Sequence, residues 1–233
     1  MIAFLKSNNI EEAMNQPQIA KLNSIASTVI TGHLDELSPL ISQAIHDHIS
    51  PRDILEKGLI HGMNEVSKKF KSGEMFIPEV MLASQVMHKG IQLISPQLSP
   101  KHLFNKGTIV LGTVQGDIHD IGKTLVRIML QGGGFKVIDL GINVSASTFI
   151  SQIQKQKTDI LALSALLSNS LLEMKKVMEA LQLVHLKKNI KIIIGGAPVT
   201  EQFAREIGAD AYGEDAGAAL IEVRKLMKLN VQE

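Results

Sequence analysis

The chain has 233 residues, with 24 Lys and Arg against 23 Asp and Glu, and its formal net charge of +1 includes no basic block of the kind a nucleic-acid backbone attracts. It has no cysteine, which excludes disulfides, thiolate metal sites and thiol nucleophiles and leaves histidine as the candidate metal donor. Aromatic residues make up only 3% of the chain, so stacking platforms for bases or sugars are few.

The amino-terminal run Met1-Ile2-Ala3-Phe4-Leu5-Lys6 is too short and apolar stretches elsewhere too brief, below about 18 residues, for a signal peptide or a membrane span. The expectation is a cytoplasmic protein with no membrane segment and no nucleic-acid partner. Residues 1–100 carry helical periodicity. Ile19, Leu22, Ile25, Ala26 and Ile30 form one stripe, and Leu37, Leu40, Ile41, Ala44 and Ile45 a second. A third helix starts at Ser50-Pro51, a serine cap followed by proline at the first helical position, and runs to Gly73; a fourth begins near Pro78. Four helices with short connections predict an antiparallel bundle, whose core is the plain explanation for these apolar residues. The turn Lys71 to Ile77, with Met75 and Phe76, is more apolar than a solvent-facing loop needs. His46 and His48, two apart on a helix, point in different directions and cannot chelate one ion together.

Pro96, Ser99 and Pro100 mark a linker from Ser95 to Lys106, which predicts a division into domains 1–100 and 101–233. Strands follow at 108–113, 136–139, 160–163, 191–194 and, weakly, 209–212. They alternate with helices at 121–131, 146–156, 171–185, 199–207 and 216–227. This pattern predicts an α/β fold: a four-helix cap followed by a doubly wound, five-stranded parallel sheet of flavodoxin-like order 2-1-3-4-5.

The stretch Gly116-Asp117-Ile118-His119-Asp120-Ile121-Gly122-Lys123-Thr124 sits between the first strand and its helix, at the carboxyl edge where ligands of such sheets bind. Five residues separate its glycines where a Walker A loop has four, so a phosphate loop would be out of register. His119 reads either as a metal ligand whose far ring nitrogen is held by Asp117, or as a loop histidine capping the helix. Ser164-Ala165-Leu166 ends the third strand, with Ser168, Asn169 and Ser170 beyond it, and Gly195-Gly196 ends the fourth. With that strand order, all face one crevice.

Asp-x-His-x-x-Gly at 117–122, then 41 residues, Ser-x-Leu at 164–166, then 28 residues and Gly-Gly at 195 and 196, resembles the signature of cobalamin-binding domains that hold the cofactor base-off, with histidine on cobalt. Gly62-Met63-Asn64-Glu65-Val66 with Phe70, Gly73, Glu74 and Phe76-Ile77-Pro78-Glu79 resembles the helical cap that precedes that domain in methionine synthase. The whole is similar to the corrinoid proteins of methanol, methylamine, betaine and aryl methyl ether methyltransferase systems. The resemblance implies that His119 is the lower axial ligand, Asp117 its partner and Ser170 a relay onto Asp117, within the motif that Gly122 closes. It implies that Ser164 bonds the displaced nucleotide base, that Leu166, Gly195 and Gly196 line its slot, and that Phe70, Ile77 and Val80 cover the upper corrin face. Ser67 stands where the family often has glycine.

The implied function is a corrinoid methyl carrier rather than a complete enzyme, since the chain is too short to include a barrel for the methyl donor. A substrate-specific methyltransferase would load methylcobalamin, a second with a thiol or tetrahydrofolate-type acceptor would unload it, and a corrinoid-activating reductase would rescue oxidised cobalt. The alternatives are a cobalamin-dependent sensor or regulator, the cobalamin half of a carbon-skeleton mutase, and a cobalamin-free α/β binding module.

Overall fold

The computed structural model describes residues 16–98 and 106–229. The run Met1 to Lys6 and linker residues 99–105 lie outside the described residues. Helix α1 (Gln16–Thr31) buries Leu22, Ile25, Ala26 and Val29, and α2 (Leu34–His46) buries Leu37, Ile41 and Ala44, the stripes expected from their spacing. The chain leaves the helix after His46, and His48 has a positive φ of 59°, so the two histidines do not share a helix as the spacing suggested.

Ser50 caps the next segment, its hydroxyl accepting from the Asp53 N–H at 3.0 Å, with Pro51 at the first position. Helix α3 (Pro51–Asp53) passes through a π-helical stretch, Ile54–Ile60, into α4 (His61–Lys71). The wider turns let Ile54, Leu55, Gly58, Leu59 and Ile60 all be buried, which a regular amphipathic stripe would not. Helix α5 (Ile77–Ile94) starts where the Glu79 carboxylate accepts from the Phe76 N–H at 2.7 Å, and Pro78 needs no donor there. It ends in a short 3₁₀ turn, Ser95–Gln97.

Five parallel strands follow, β1 (Thr108–Thr113), β2 (Lys136–Asp139), β3 (Ile160–Ser164), β4 (Lys191–Gly195) and β5 (Ala211–Gly213), in the order β2-β1-β3-β4-β5. The last strand starts two residues later than its apolar pattern suggested. Between and after them lie α6 (Ile121–Gly132), α7 (Ala146–Lys155), α8 (Leu171–Leu183), α9 (Glu201–Ile207) and α10 (Ala216–Leu226). Helix α9 begins at Glu201 rather than Val199 because Thr200 caps it, its Oγ1 accepting from the Phe203 N–H at 3.1 Å. Register places Thr113, Ser164, Gly195 and Gly213 in one row across the carboxyl edge of four strands. Three of the four are glycine or serine, so the edge is open above the sheet.

Side chains alternate between the two faces of the sheet. Val110, Leu161, Leu163, Ile192 and Ile194 join a core with α7, α8 and α9. Ile109, Leu111, Ile160, Ala162 and Ile193 join the opposite core with α6 and α10, and that core runs on without a break into the helical cap. At the seam a Cβ on Gly132 would stand 2.0 Å from the Met63 Cγ, so only glycine lets α6 lie this close to α4. Among the described residues no helix is long and apolar enough to cross a membrane.

Candidate functional site

The turn after β1 is built around a buried carboxylate. Asp117 is fully buried; its Oδ1 accepts from the His119 N–H at 3.1 Å and lies 2.7 Å from the His119 Nδ1. Its Oδ2 accepts from the N–H groups of Leu166 at 2.7 Å and Leu167 at 3.0 Å, beyond β3. Burial alone would raise the pKa of this carboxyl. The Leu166 N–H, the His119 N–H and ring, and the Leu167 N–H outweigh burial and hold it well below the usual carboxylate range. An ionised carboxylate only accepts, so Nδ1 is the donor in this contact and Nε2 is the ring nitrogen turned away from it. The imidazole is 46% exposed, and Thr113 Oγ1 donates to the His119 carbonyl at 3.0 Å, which pins the loop to the end of β1.

His119 stands at the mouth of a cavity of about 670 Å³ that descends between α6, α10 and the sheet. Its mouth and upper walls include Gly122, Ser164, Leu166, Gly195 and Gly196, and Leu125, Ala162, Ala219 and Val223 make it apolar at depth. Gly196 has a φ of 129°, and a Cβ there would stand 1.8 Å from the Ala165 carbonyl oxygen, so the backbone of the fourth-strand loop passes where no side chain fits. A Cβ on Gly195 would stand 2.6 Å from the Gly213 carbonyl oxygen, while Gly122 faces open space.

Around the imidazole lies apolar surface: Ile118 is 69% and Ile121 68% exposed, with Leu166 and Leu167 also exposed. The Asp-x-His-x-x-Gly pattern did not mark Ile118 and Ile121; two isoleucines in a polar turn were the available signal. Also unmarked was Lys123, which lines the cavity while its Nζ donates to both Asp139 oxygens at 2.8 and 2.6 Å.

Three expected contributors stand elsewhere. No hydrogen bond joins the buried Ser170 to Asp117, whose oxygens are taken by the Leu166 and Leu167 amides and by His119; the relay is replaced by backbone donors. Val80 is sealed in the bundle core and does not line the His119 cavity. Ile77 is exposed at the start of α5 and does not line the cavity, so Phe70 alone represents the cap there among the described residues.

Two B12-binding domain models match the chain, at residues 22–95 and 107–221. The trimethylamine corrinoid protein of Methanosarcina barkeri is 38% identical over 207 residues, 88% of this chain and 95% of the relative. The chain belongs to the cobalamin-binding corrinoid protein family. A dimethylamine corrinoid protein of Methanosarcina acetivorans is 39% identical over 207 residues, 88% of this chain and 97% of its own length. In structure, the methanol:cobalamin methyltransferase complex of Methanosarcina barkeri has a chain that superposes with a TM-score of 0.81 at 28% identity, covering 97% of this chain and 88% of that one.

The geometry of this corrinoid protein fits such a cofactor. Among the described residues no group of three or more His, Asp or Glu could cage a metal ion, so the metal that suits a lone imidazole brings its other ligands with it. An apolar rim suits a broad macrocycle, and the deep slot beside the glycine edge suits an appended tail.

Proposed function

We propose that this protein carries methyl groups on a corrinoid held base-off, with His119 Nε2 as the lower axial ligand to cobalt. The carrying observation is the oriented imidazole: Asp117 Oδ1 lies 2.7 Å from His119 Nδ1, which leaves Nε2 as the nitrogen available at an apolar cavity. When bound, the corrinoid supplies a cobalt centre that takes up and releases a methyl group.

The chain's own residues position that centre. Asp117 orients the ring and raises its basicity, and it stabilises positive charge on the ring whenever Nε2 is disengaged and takes up a proton. Ser164, on the open row of strand ends, bonds the displaced nucleotide base, while Leu166, Gly195 and Gly196 line the slot and Gly122 leaves its mouth clear. Phe70 shields the cavity from the cap side. Residues 1–100 act as a cap domain that moves aside from 101–233 to admit partners.

A substrate-specific methyltransferase loads the carrier in the cytoplasm. A second, with a thiol or tetrahydrofolate-type acceptor, unloads it, and a reductase restores oxidised cobalt. The names of the two Methanosarcina relatives make methylamines the first donor class to test. Electron paramagnetic resonance of the cobalt(II) form should show nitrogen splitting from His119 that disappears in His119→Ala. Splitting that persists unchanged in the variant removes His119 from this role.

A further inference from the structure

A second cavity, about 490 Å³, lies in the seam between cap helix α4 and α10 of the sheet domain, apart from the His119 cavity. Asn64, Ser67, Lys68 and Lys71 border it at the spacing of one helix face, and Leu220 and Arg224 border it from α10. The helices close on each other at Gly217, where a Cβ would stand 3.2 Å from the Ser67 carbonyl oxygen.

Arg224 is only 8% exposed, yet no carboxylate lies within ion-pair distance of it among the described residues. Its one described side-chain hydrogen bond, Nη2 to Asn64 Oδ1 at 2.5 Å, uses one of five N–H donors. Ser67 is 5% exposed, and its hydroxyl has no hydrogen-bond partner among the described residues although it borders the cavity. Lys71 has no ion-pair partner among the described residues, and Lys68 pairs with the bordering Glu65 at 3.2 Å. A buried guanidinium without a counter-charge is strongly unfavourable, and such sites invite an anion. Burial pushes the Arg224 pKa down, and the neighbouring Lys106 is held down first by burial and then by the Arg224 charge.

We propose that this seam cavity binds a phosphate monoester, its dianionic head between Arg224, Ser67 and Lys71 and its small organic body over Leu220. Arg224 and Lys71 supply two positive charges for a phosphate dianion, and the Ser67 hydroxyl adds a neutral donor beside the guanidinium fork. The cavity has the size of a small-molecule site and exceeds what a bare ion fills. Because its walls come from both α4 and α10, the ligand would fasten the cap to the sheet domain. The inference is independent of whether His119 ligates cobalt.

Titration calorimetry on the full chain at constant ionic strength, with inorganic phosphate, glycerol phosphate and succinate as probes, tests it. Glycerol phosphate should bind saturably below about 1 mM, several-fold more tightly than inorganic phosphate and succinate. Lys71→Gln, at an exposed position, and Arg224→Lys should each weaken it roughly tenfold, and Ser67→Ala about fivefold. Lys71→Gln should leave the melting temperature of the ligand-free protein unchanged, which separates loss of the site from loss of the fold. Absence of saturation at about 10 mM, equal affinity for succinate, or affinity unmoved by Lys71→Gln and Arg224→Lys would each overturn the proposal.

Discussion

The Leu166 N–H donates to Asp117 Oδ2 at 2.7 Å, and through that carboxylate the loop after β3 sets the orientation of an imidazole on the loop after β1. Two neighbouring strand ends therefore share one anion. Asp117→Asn keeps the shape but turns an acceptor-only group into one that also donates, so at least one N–H contact becomes repulsive. The expected cost is about 1–3 kcal/mol of stability and roughly a 10- to 100-fold loss of corrinoid affinity. Urea denaturation and absorbance titration with hydroxocobalamin measure the two. Unchanged affinity would show that the carboxylate does not support the ligand.

The same anion makes stability depend on pH with a defined sign. The folded-state pKa of Asp117 lies below its unfolded value, so the unfolded chain binds the proton more readily in acid. Its stabilising contribution is present above about pH 4, where an unfolded aspartate ionises, and is lost as pH falls from there toward the depressed folded value. The wild type should lose urea resistance as pH falls from about 4 toward about 2 more steeply than Asp117→Asn. Parallel profiles would place the acid sensitivity in other carboxylates.

Gly196 offers a purely steric test. With φ at 129° and a virtual Cβ 1.8 Å from the Ala165 carbonyl oxygen, Gly196→Ala adds a backbone clash to a strained conformation. A loss of about 3 kcal/mol or more is expected in thermal unfolding, with Gly122→Ala, which faces open space, as the mild comparison.

Much of this arrangement is legible in the order of residues, for local reasons. Apolar runs mark four strands plainly and the fifth weakly, and the Asp-x-His spacing raises the pairing found at 2.7 Å as one of two readings. Ser50-Pro51 announces its helix because capping is decided within four residues. What escapes the pattern is set by tertiary contact. The π-helical stretch Ile54–Ile60 exists because burial on several sides overrides the 3.6-residue period. Ser170 is a plausible hydroxyl partner for Asp117, but backbone amides, which every residue carries and no pattern marks, occupy the carboxylate first. Phe70 and Val80 flank the same apolar turn, yet the helix phase of α5 sends Val80 into the bundle while α4 leaves Phe70 at the cavity.

Lys123 is 4% exposed and its ammonium is held by both oxygens of Asp139, with Arg127 at 3.5 Å on the outer side. The pair ties the first turn of α6 to the end of β2, directly beneath the His119 loop. Lys123→Ala leaves Asp139 only Arg127 and the Gly141 N–H at 2.9 Å. A loss of about 3 kcal/mol in urea denaturation is expected, whereas Lys123→Met, which keeps the packing, should lose less.

The slot itself can be closed selectively. Ser164 lies on the open row between Thr113 and Gly195, at the mouth of the cavity, and a bulky apolar side chain there would project into the entry. If the cofactor tail enters between β1 and β3, Ser164→Leu should reduce affinity for complete cobalamin by at least about tenfold. A corrinoid lacking the nucleotide tail needs only the apolar rim and His119, so its affinity should change less than about threefold. Ser164→Ala, which opens space and removes one hydroxyl, should cost complete cobalamin about fivefold. Equal losses for the two corrinoids in Ser164→Leu would mean that the tail does not use this slot, and the assignment of Gly195 and Gly196 to its walls would go with it.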